Sequence, residues 1–297
     1  MRESLGMRRW AVLAVLLALV GCSPLWAINA LTDRSRHSAV RDIAFGDAPR
    51  LKLDVYTPRA AFGAPVVVFF YGGGWRSGDK ADYEFLAEAL TALGAVAVVP
   101  DYRVYPQARF PDFVEDGARA LAWARRHIAG YGGDPRRVFV MGHSAGAHIA
   151  ALLALDARYL AAEGIPRGWL RGMIGLAGLY DFQPLETRRL REIFAAAPDP
   201  EATQPITFAG ADGPPLLLMT GDHDRLVETG NSRRLAERVR ERGGSAEWRV
   251  YPGLGHFNIV SALWSPRRAA APVHADIKAF LDAHAAGATA APPPPVP

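Results

Sequence analysis

The chain predicts an α/β fold, with a mostly parallel central sheet flanked by helices on both faces. Short runs with the apolar, β-branched character of buried strands alternate along it with segments of helical periodicity. Each strand–helix–strand unit of this kind crosses over right-handed and leaves its strands parallel. A length of 297 residues holds one large domain of this type or two small ones, and 50% hydrophobic residues supply a substantial core.

The first residues read as an address. Arg2, Arg8 and Arg9 precede the apolar run Trp10 to Val20, a basic segment followed by a hydrophobic one too short for a comfortable membrane span. Leu19-Val20-Gly21-Cys22 follows, and Cys22 is the only cysteine, so no internal disulfide forms. The tetrapeptide resembles a bacterial lipobox, which implies removal of residues 1–21 and acylation of Cys22. Acyl chains at about 0.8 kcal/mol per buried CH₂ would then anchor the protein to a membrane. Ser23 after the cysteine implies the outer membrane, on its periplasmic side, rather than the inner one. Residues 22–40 are expected to form a tether or a short helix packing on the domain.

The folded domain is expected over residues 41–285. Arg41 to Gly46 and Leu51 to Tyr56 both alternate around the turn residues Asp47-Ala48-Pro49, which predicts an antiparallel hairpin at the sheet edge. Pro65 to Phe70 is a continuous apolar run, hence a central strand, and it opens directly into Tyr71-Gly72-Gly73-Gly74-Trp75. A helix follows from Asp82 to Leu93, stopped by Gly94. Ala95 to Pro100 is the next buried strand, and a long helix starts at Pro111-Asp112 and runs to about Tyr131. Gly132-Gly133-Asp134-Pro135 turns the chain into the strand Arg137 to Met141.

Past that strand comes Gly142-His143-Ser144-Ala145-Gly146, then the small, apolar helix Ala147 to Leu155. Gly172 to Ala177 reads as a strand, residues 183–215 as a proline-dotted helix and pocket wall, and Pro215 to Met219 as a buried strand. Asn231 to Arg242 has helical periodicity, Ala246 to Tyr251 is the last strand, and Pro272 to Ala285 is a closing helix. Residues 286–297, with a four-proline run, cannot pack and are expected to be disordered.

Four of these strands end in loops that carry reactive groups, and in an open α/β sheet ligands bind at the carboxyl ends of strands. Ser144 lies between Gly142 and Gly146 at a strand–helix junction, the pattern of a nucleophile elbow. The helix N-terminus behind it supplies partial positive charge where an oxyanion would form. Three glycines after a core strand leave the N–H groups of Gly73 and Gly74 free to face that oxyanion together with Ala145. His256, in a Gly-Leu-Gly-His turn after the last strand, is the candidate base. His143 and His148 are expected to be structural and His223 exposed. The loop after Met219 offers two acids, Asp222 and Asp224. The order Ser…Asp…His is that of the α/β hydrolases.

The segment from about residue 41 to 285 resembles the α/β-hydrolase carboxylesterases of the hormone-sensitive-lipase-like group. Gly72-Gly73-Gly74-Trp75 with Gly78 and Lys80, Asp101-Tyr102-Arg103, Tyr131 to Pro135, and the elbow through His148 resemble isoprenylcysteine methylesterase-like proteins. The glycine loop and the elbow are also similar to kynurenine formamidases. The resemblance implies Asp224 as the acid, since Gly221…Asp224…Val227 has the family's spacing. It also implies a serine hydrolase that needs no cofactor and takes a small-molecule ester, cleaving short acyl or aryl esters through an acyl-enzyme. Arylformamide hydrolysis, deacetylation of an envelope polysaccharide, and an inactive scaffold acting as an interaction partner are the alternatives. One departure stands out: Tyr71 replaces the histidine that opens the usual H-G-G-G loop. A net charge of +4 with scattered basic residues gives no nucleic-acid footprint, and no zinc-type Cys/His spacing or phosphate loop occurs.

Overall fold

The computed structural model describes residues 28–285 except residue 198. The expected signal segment 1–21, Cys22 and the tail 286–297 lie outside the described residues. The described chain forms an eight-stranded sheet: β1 (His37–Ala44), β2 (Lys52–Pro58), β3 (Ala64–Phe70), β4 (Val96–Pro100), β5 (Gly133–His143), β6 (Leu170–Leu176), β7 (Leu216–Gly221) and β8 (Ala246–Tyr251), in the order β1-β2-β4-β3-β5-β6-β7-β8. β1 and β2 pair antiparallel, β2 joins β4 antiparallel, and every other pairing is parallel.

Helices α1 (Glu84–Ala92), α2 (Asp112–His127), α3 (Ala145–Leu155), α4 (Ala157–Ala162), α5 (Arg188–Ile193) and α6 (Gly230–Glu241) lie in the crossovers between strands, and α7 (Asn258–Ser261) and α8 (Val273–Ala285) follow the last strand. The central strands β3, β4 and β7 bury almost every residue, and β5 does so from Val138 onward, which is why these stretches read as unbroken apolar runs. α3, behind the elbow, is buried at every position but Ala154, so its sequence carries no polar face.

Strand order brings the reactive loops together. β3 lies beside β5 with Phe70 opposite Gly142, so the glycine loop leaves the sheet next to Ser144. β7 lies beside β8 with Gly221 opposite Tyr251, so the aspartate loop and the His256 loop leave side by side.

The packed domain starts before residue 41. β1 begins at His37, and Asn29 docks onto the sheet's flank: its amide donates to the Ala81 carbonyl at 2.6 Å and accepts from the Phe85 N–H at 3.0 Å. β1 is an edge strand exposed along most of its length, so its residues have the polar look of a tether. β5 also starts earlier than expected, at Gly133, directly after Gly132 caps the preceding turn at φ 82°. Segment 183–215 contributes α5 and two 3₁₀ turns, Pro200–Thr203 and Pro205–Phe208. The short helices α4 and α7 were not expected from the periodicity.

Candidate active site

Ser144 sits at φ 55°, ψ −122°, a strained conformation for a residue with a Cβ. The strain lifts its side chain off the junction between β5 and α3. A Cβ on Gly142 would lie 2.2 Å from the Gly146 carbonyl oxygen, and one on Gly146 would lie 2.1 Å from the Phe70 carbonyl oxygen. Both elbow glycines are therefore required by close backbone contact rather than by flexibility.

His256 Nε2 lies 2.9 Å from Ser144 Oγ, and His256 Nδ1 lies 2.8 Å from Asp224 Oδ2. A carboxylate only accepts, so Nδ1 carries the proton and Nε2 is free to accept from the serine hydroxyl. The other oxygen of Asp224 accepts from the N–H groups of Leu226 and Val227, each at 2.9 Å. Burial would raise the Asp224 carboxyl; the His256 hydrogen bond and charge, with the two backbone donors, outweigh it and hold the group below the usual carboxylate value. Asp222 is turned elsewhere: it accepts from the Gly253 N–H at 2.7 Å and so ties its own loop to the turn after β8. His223 is exposed.

The glycine loop passes directly over the elbow. A Cβ on Gly72 would sit 3.1 Å from Ser144 Cβ and 3.0 Å from His143 Nδ1, so a side chain there fits only where those neighbours give by a few tenths of an ångström. Gly73 at φ 130° and Gly74 at φ 60° run into Trp75 at φ 57°, a curl closed by the N–H groups of Arg76 and Ser77 on the Gly73 carbonyl. Among the described residues, the N–H groups of Gly73, Gly74 and Ala145 donate to no protein acceptor.

Trp75 anchors the curl. Its buried indole packs against Phe113, Phe182, Phe194 and His148, with ring centroids 5.0–6.2 Å away. His148 donates from Nε2 to the Thr203 carbonyl at 2.8 Å, and burial pushes its imidazole down to about 4. His143 bonds to the His256 main chain instead of facing a substrate. Both histidines thus hold structure, as expected.

Tyr71, in place of the motif histidine, is buried below the loop. Its ring stacks between Tyr83 and Tyr102 at 5.6 and 4.8 Å, and its hydroxyl donates to Asp101 Oδ1 at 2.6 Å. Arg50 also reaches this hydroxyl, at 3.0 Å. The sequence marks Gly72 only as a member of the glycine loop, with the oxyanion assigned to Gly73, Gly74 and Ala145, and nothing local marks Arg50.

A family described as alpha/beta hydrolase fold matches residues 67–259. Isoprenylcysteine alpha-carbonyl methylesterase ICME of Arabidopsis thaliana is 32% identical over 241 residues, covering 74% of this chain and 56% of that protein. Esterase LipC of Mycobacterium tuberculosis is 32% identical over 258 residues, covering 77% of this chain and 62% of that protein. The chain thus spans about half to three-fifths of the length of these relatives. Among solved structures, the apo form of Thermogutta terrifontis esterase 2 aligns with a TM-score of 0.66 at 25% identity, over 84% of this chain and 93% of that one. A Pyrobaculum calidifontis esterase shares the fold with a TM-score of 0.71 at 24% identity, over 89% and 90%. The extent of the match, and the curated relatives that share about a third of their residues with it, place the chain in the α/β-hydrolase fold family, in the hormone-sensitive-lipase-like group whose motifs it carries.

Proposed function

We propose that the protein is a serine carboxylesterase that cleaves short acyl or aryl esters, with Ser144 as nucleophile, His256 as general base and acid, and Asp224 as the residue that orients His256. The observation that carries this reading is the unbroken hydrogen-bonded line from Ser144 Oγ through the His256 ring to Asp224, at 2.9 and 2.8 Å. Relatives named as a methylesterase and an esterase support the same bond class.

Ser144 Oγ attacks the ester carbonyl carbon as its proton passes to His256 Nε2. The carbonyl π electrons move onto oxygen, and the N–H groups of Gly73, Gly74 and Ala145 receive that charge. Collapse of the tetrahedral intermediate breaks the carbon–oxygen bond to the alcohol, which leaves with the proton from His256. Water, deprotonated by the same imidazole, attacks the acyl-enzyme and releases the acid and free Ser144. Asp224 stays ionised throughout and stabilises the imidazolium.

A fluorophosphonate probe and a series of p-nitrophenyl esters of rising chain length, run beside N-formylkynurenine, test this reading. Labelling of the wild type but not of Ser144→Ala, with turnover highest on short esters, is the expected result. No labelling, or equal labelling of the variant, would sink it; faster turnover of N-formylkynurenine would assign the site to formamides instead.

The sequence around Cys22 supports a lipid anchor that holds the enzyme at the periplasmic side of the outer membrane. Globomycin treatment or Cys22→Ala should then cause precursor to accumulate. Unchanged, freely soluble mature protein would overturn the anchor.

A further inference from the structure

The loop that carries Gly73 and Gly74 is closed at its base by a side chain from outside it. Arg50, in the turn between β1 and β2, donates through Nη2 to the Tyr71 hydroxyl at 3.0 Å and to the Gly78 carbonyl, which are the first and last points of the curl. Its Nε donates to the Tyr102 carbonyl at 2.8 Å. Asp101 completes the ring, accepting from the Tyr71 hydroxyl at 2.6 Å and from the Lys80 N–H at 3.0 Å. Tyr102 returns the contact by donating its hydroxyl to the Tyr71 carbonyl at 2.8 Å. The base is tight: a Cβ on Gly78 would meet the Tyr71 ring at 2.6 Å and the Gly72 carbonyl oxygen at 2.8 Å.

We propose that Arg50 is a positioning residue for the oxyanion loop, its planar fork locking Tyr71 to Gly78 and thereby fixing where the Gly73 and Gly74 N–H groups point. The proposal rests on the serine-esterase reading. Three acceptors from two strand ends and one loop converge on a single guanidinium, a task for a rigid multi-donor fork and not for the point charge of a lysine. An oxyanion donor works only within a few tenths of an ångström of its proper place, so slack at the base of the curl reaches the reacting oxygen. Arg50 lies upstream of residue 67, where the family match begins.

Arg50→Met, Arg50→Lys and Tyr71→Phe are to be compared with the full chain on p-nitrophenyl acetate, with a trifluoromethyl ketone as the oxyanion mimic. In Arg50→Met, kcat is expected to fall by about 10²-fold with little change in KM, the size of losing one oxyanion donor. The inhibition constant of the ketone should rise by the same factor as kcat/KM falls, because both report binding of the oxyanion. Arg50→Lys should recover only a minor part. Tyr71→Phe keeps the ring stacked between Tyr83 and Tyr102 and removes only the hydroxyl, so it decides the matter if Arg50→Met does not fold. Wild-type kcat in the folded variants, or lost activity without weakened ketone binding, would overturn the proposal. A wild-type protein that neither turns over esters nor takes a fluorophosphonate would overturn the esterase reading itself, before any variant is compared.

Discussion

His143 Nε2 lies 2.9 Å from the backbone carbonyl oxygen of His256, and the two imidazole rings are 4.9 Å apart. A carbonyl only accepts, so His143 carries its proton on Nε2. Burial, reinforced by the neighbouring His256, pushes the His143 imidazole down to about 3, which keeps it a neutral donor around neutral pH. The base is therefore held twice: Asp224 grips its ring and His143 its main chain. His143→Phe fills the same space without the donor. Its kcat/KM is expected to fall about tenfold through misplacement of His256, with about 1–3 kcal/mol lost from stability as the carbonyl goes unpaired. Fluorophosphonate labelling should slow but persist. Unchanged kcat/KM would mean that the loop after β8 holds His256 without help.

The two aspartates of the β7 loop should separate cleanly in kinetics. Asp224 Oδ1 is committed to the Leu226 and Val227 N–H groups. In Asp224→Asn the amide oxygen must stay on those donors, which turns the NH₂ toward His256 Nδ1. The imidazole is then forced into the tautomer with its proton on Nε2, unable to accept from Ser144. A loss of about 10⁴-fold in kcat is expected. Asp222→Asn keeps its carbonyl acceptor for Gly253 and should leave kcat near the wild-type value. The reverse pattern would reassign the acid.

How far the site could be read from sequence depends on how local each requirement is. The need for Gly142 is met within the pentapeptide itself, through contact with Gly146, so the motif is visible as a string. Gly72 is crowded by His143 and Ser144, more than seventy positions away in the chain; only the fold reveals that contact. Arg50 acts on Tyr71, Gly78 and Tyr102, and no period or motif marks an arginine in a hairpin turn. The choice between Asp222 and Asp224 turns on which carboxylate reaches the His256 ring and which stops at the Gly253 N–H, something that composition leaves open and family spacing decided. Buried strands such as β3 and β7 were plain because both faces are apolar, whereas β1 hid among polar residues because its burial is confined to one end and one partly covered position.

Acid stability should depend on Glu84. Its side chain is only 7% exposed and pairs with Arg34 and Arg41, each at 2.8 Å, while His37 lies 3.8 Å away. Burial would raise the carboxyl; the nearby His37, the hydrogen bonds from Arg34 and the charges of Arg41 and Arg34 overcome it and bring the group from its ordinary 4.5 down to about 2. A carboxylate whose folded value is depressed stabilises the fold above its unfolded value and loses that contribution as pH falls through the folded one. The contribution is thus complete above 4.5 and disappears toward 2. Glu84→Gln should be less stable than wild type at neutral pH and show a flatter decline between those limits. Urea unfolding midpoints at stepped pH measure it, and parallel curves for the two proteins would refute the assignment.

The backbone strain at Ser144 can be measured through its removal. A residue with a Cβ held at φ 55°, ψ −122° costs about 1–3 kcal/mol. Glycine relieves that strain, although its greater freedom in the unfolded chain takes back about 0.5–1 kcal/mol. Ser144→Ala and Ser144→Gly both lose the hydroxyl, its hydrogen bond to His256 and all turnover. The difference between the two therefore reports the backbone strain, net of glycine's unfolded-chain freedom and of the buried Cβ. Ser144→Gly is expected to unfold at a higher denaturant concentration than Ser144→Ala, by about 1 kcal/mol. Equal stabilities would mean that the elbow accommodates a Cβ without strain, and that Gly142 and Gly146 alone absorb the sharpness of the turn.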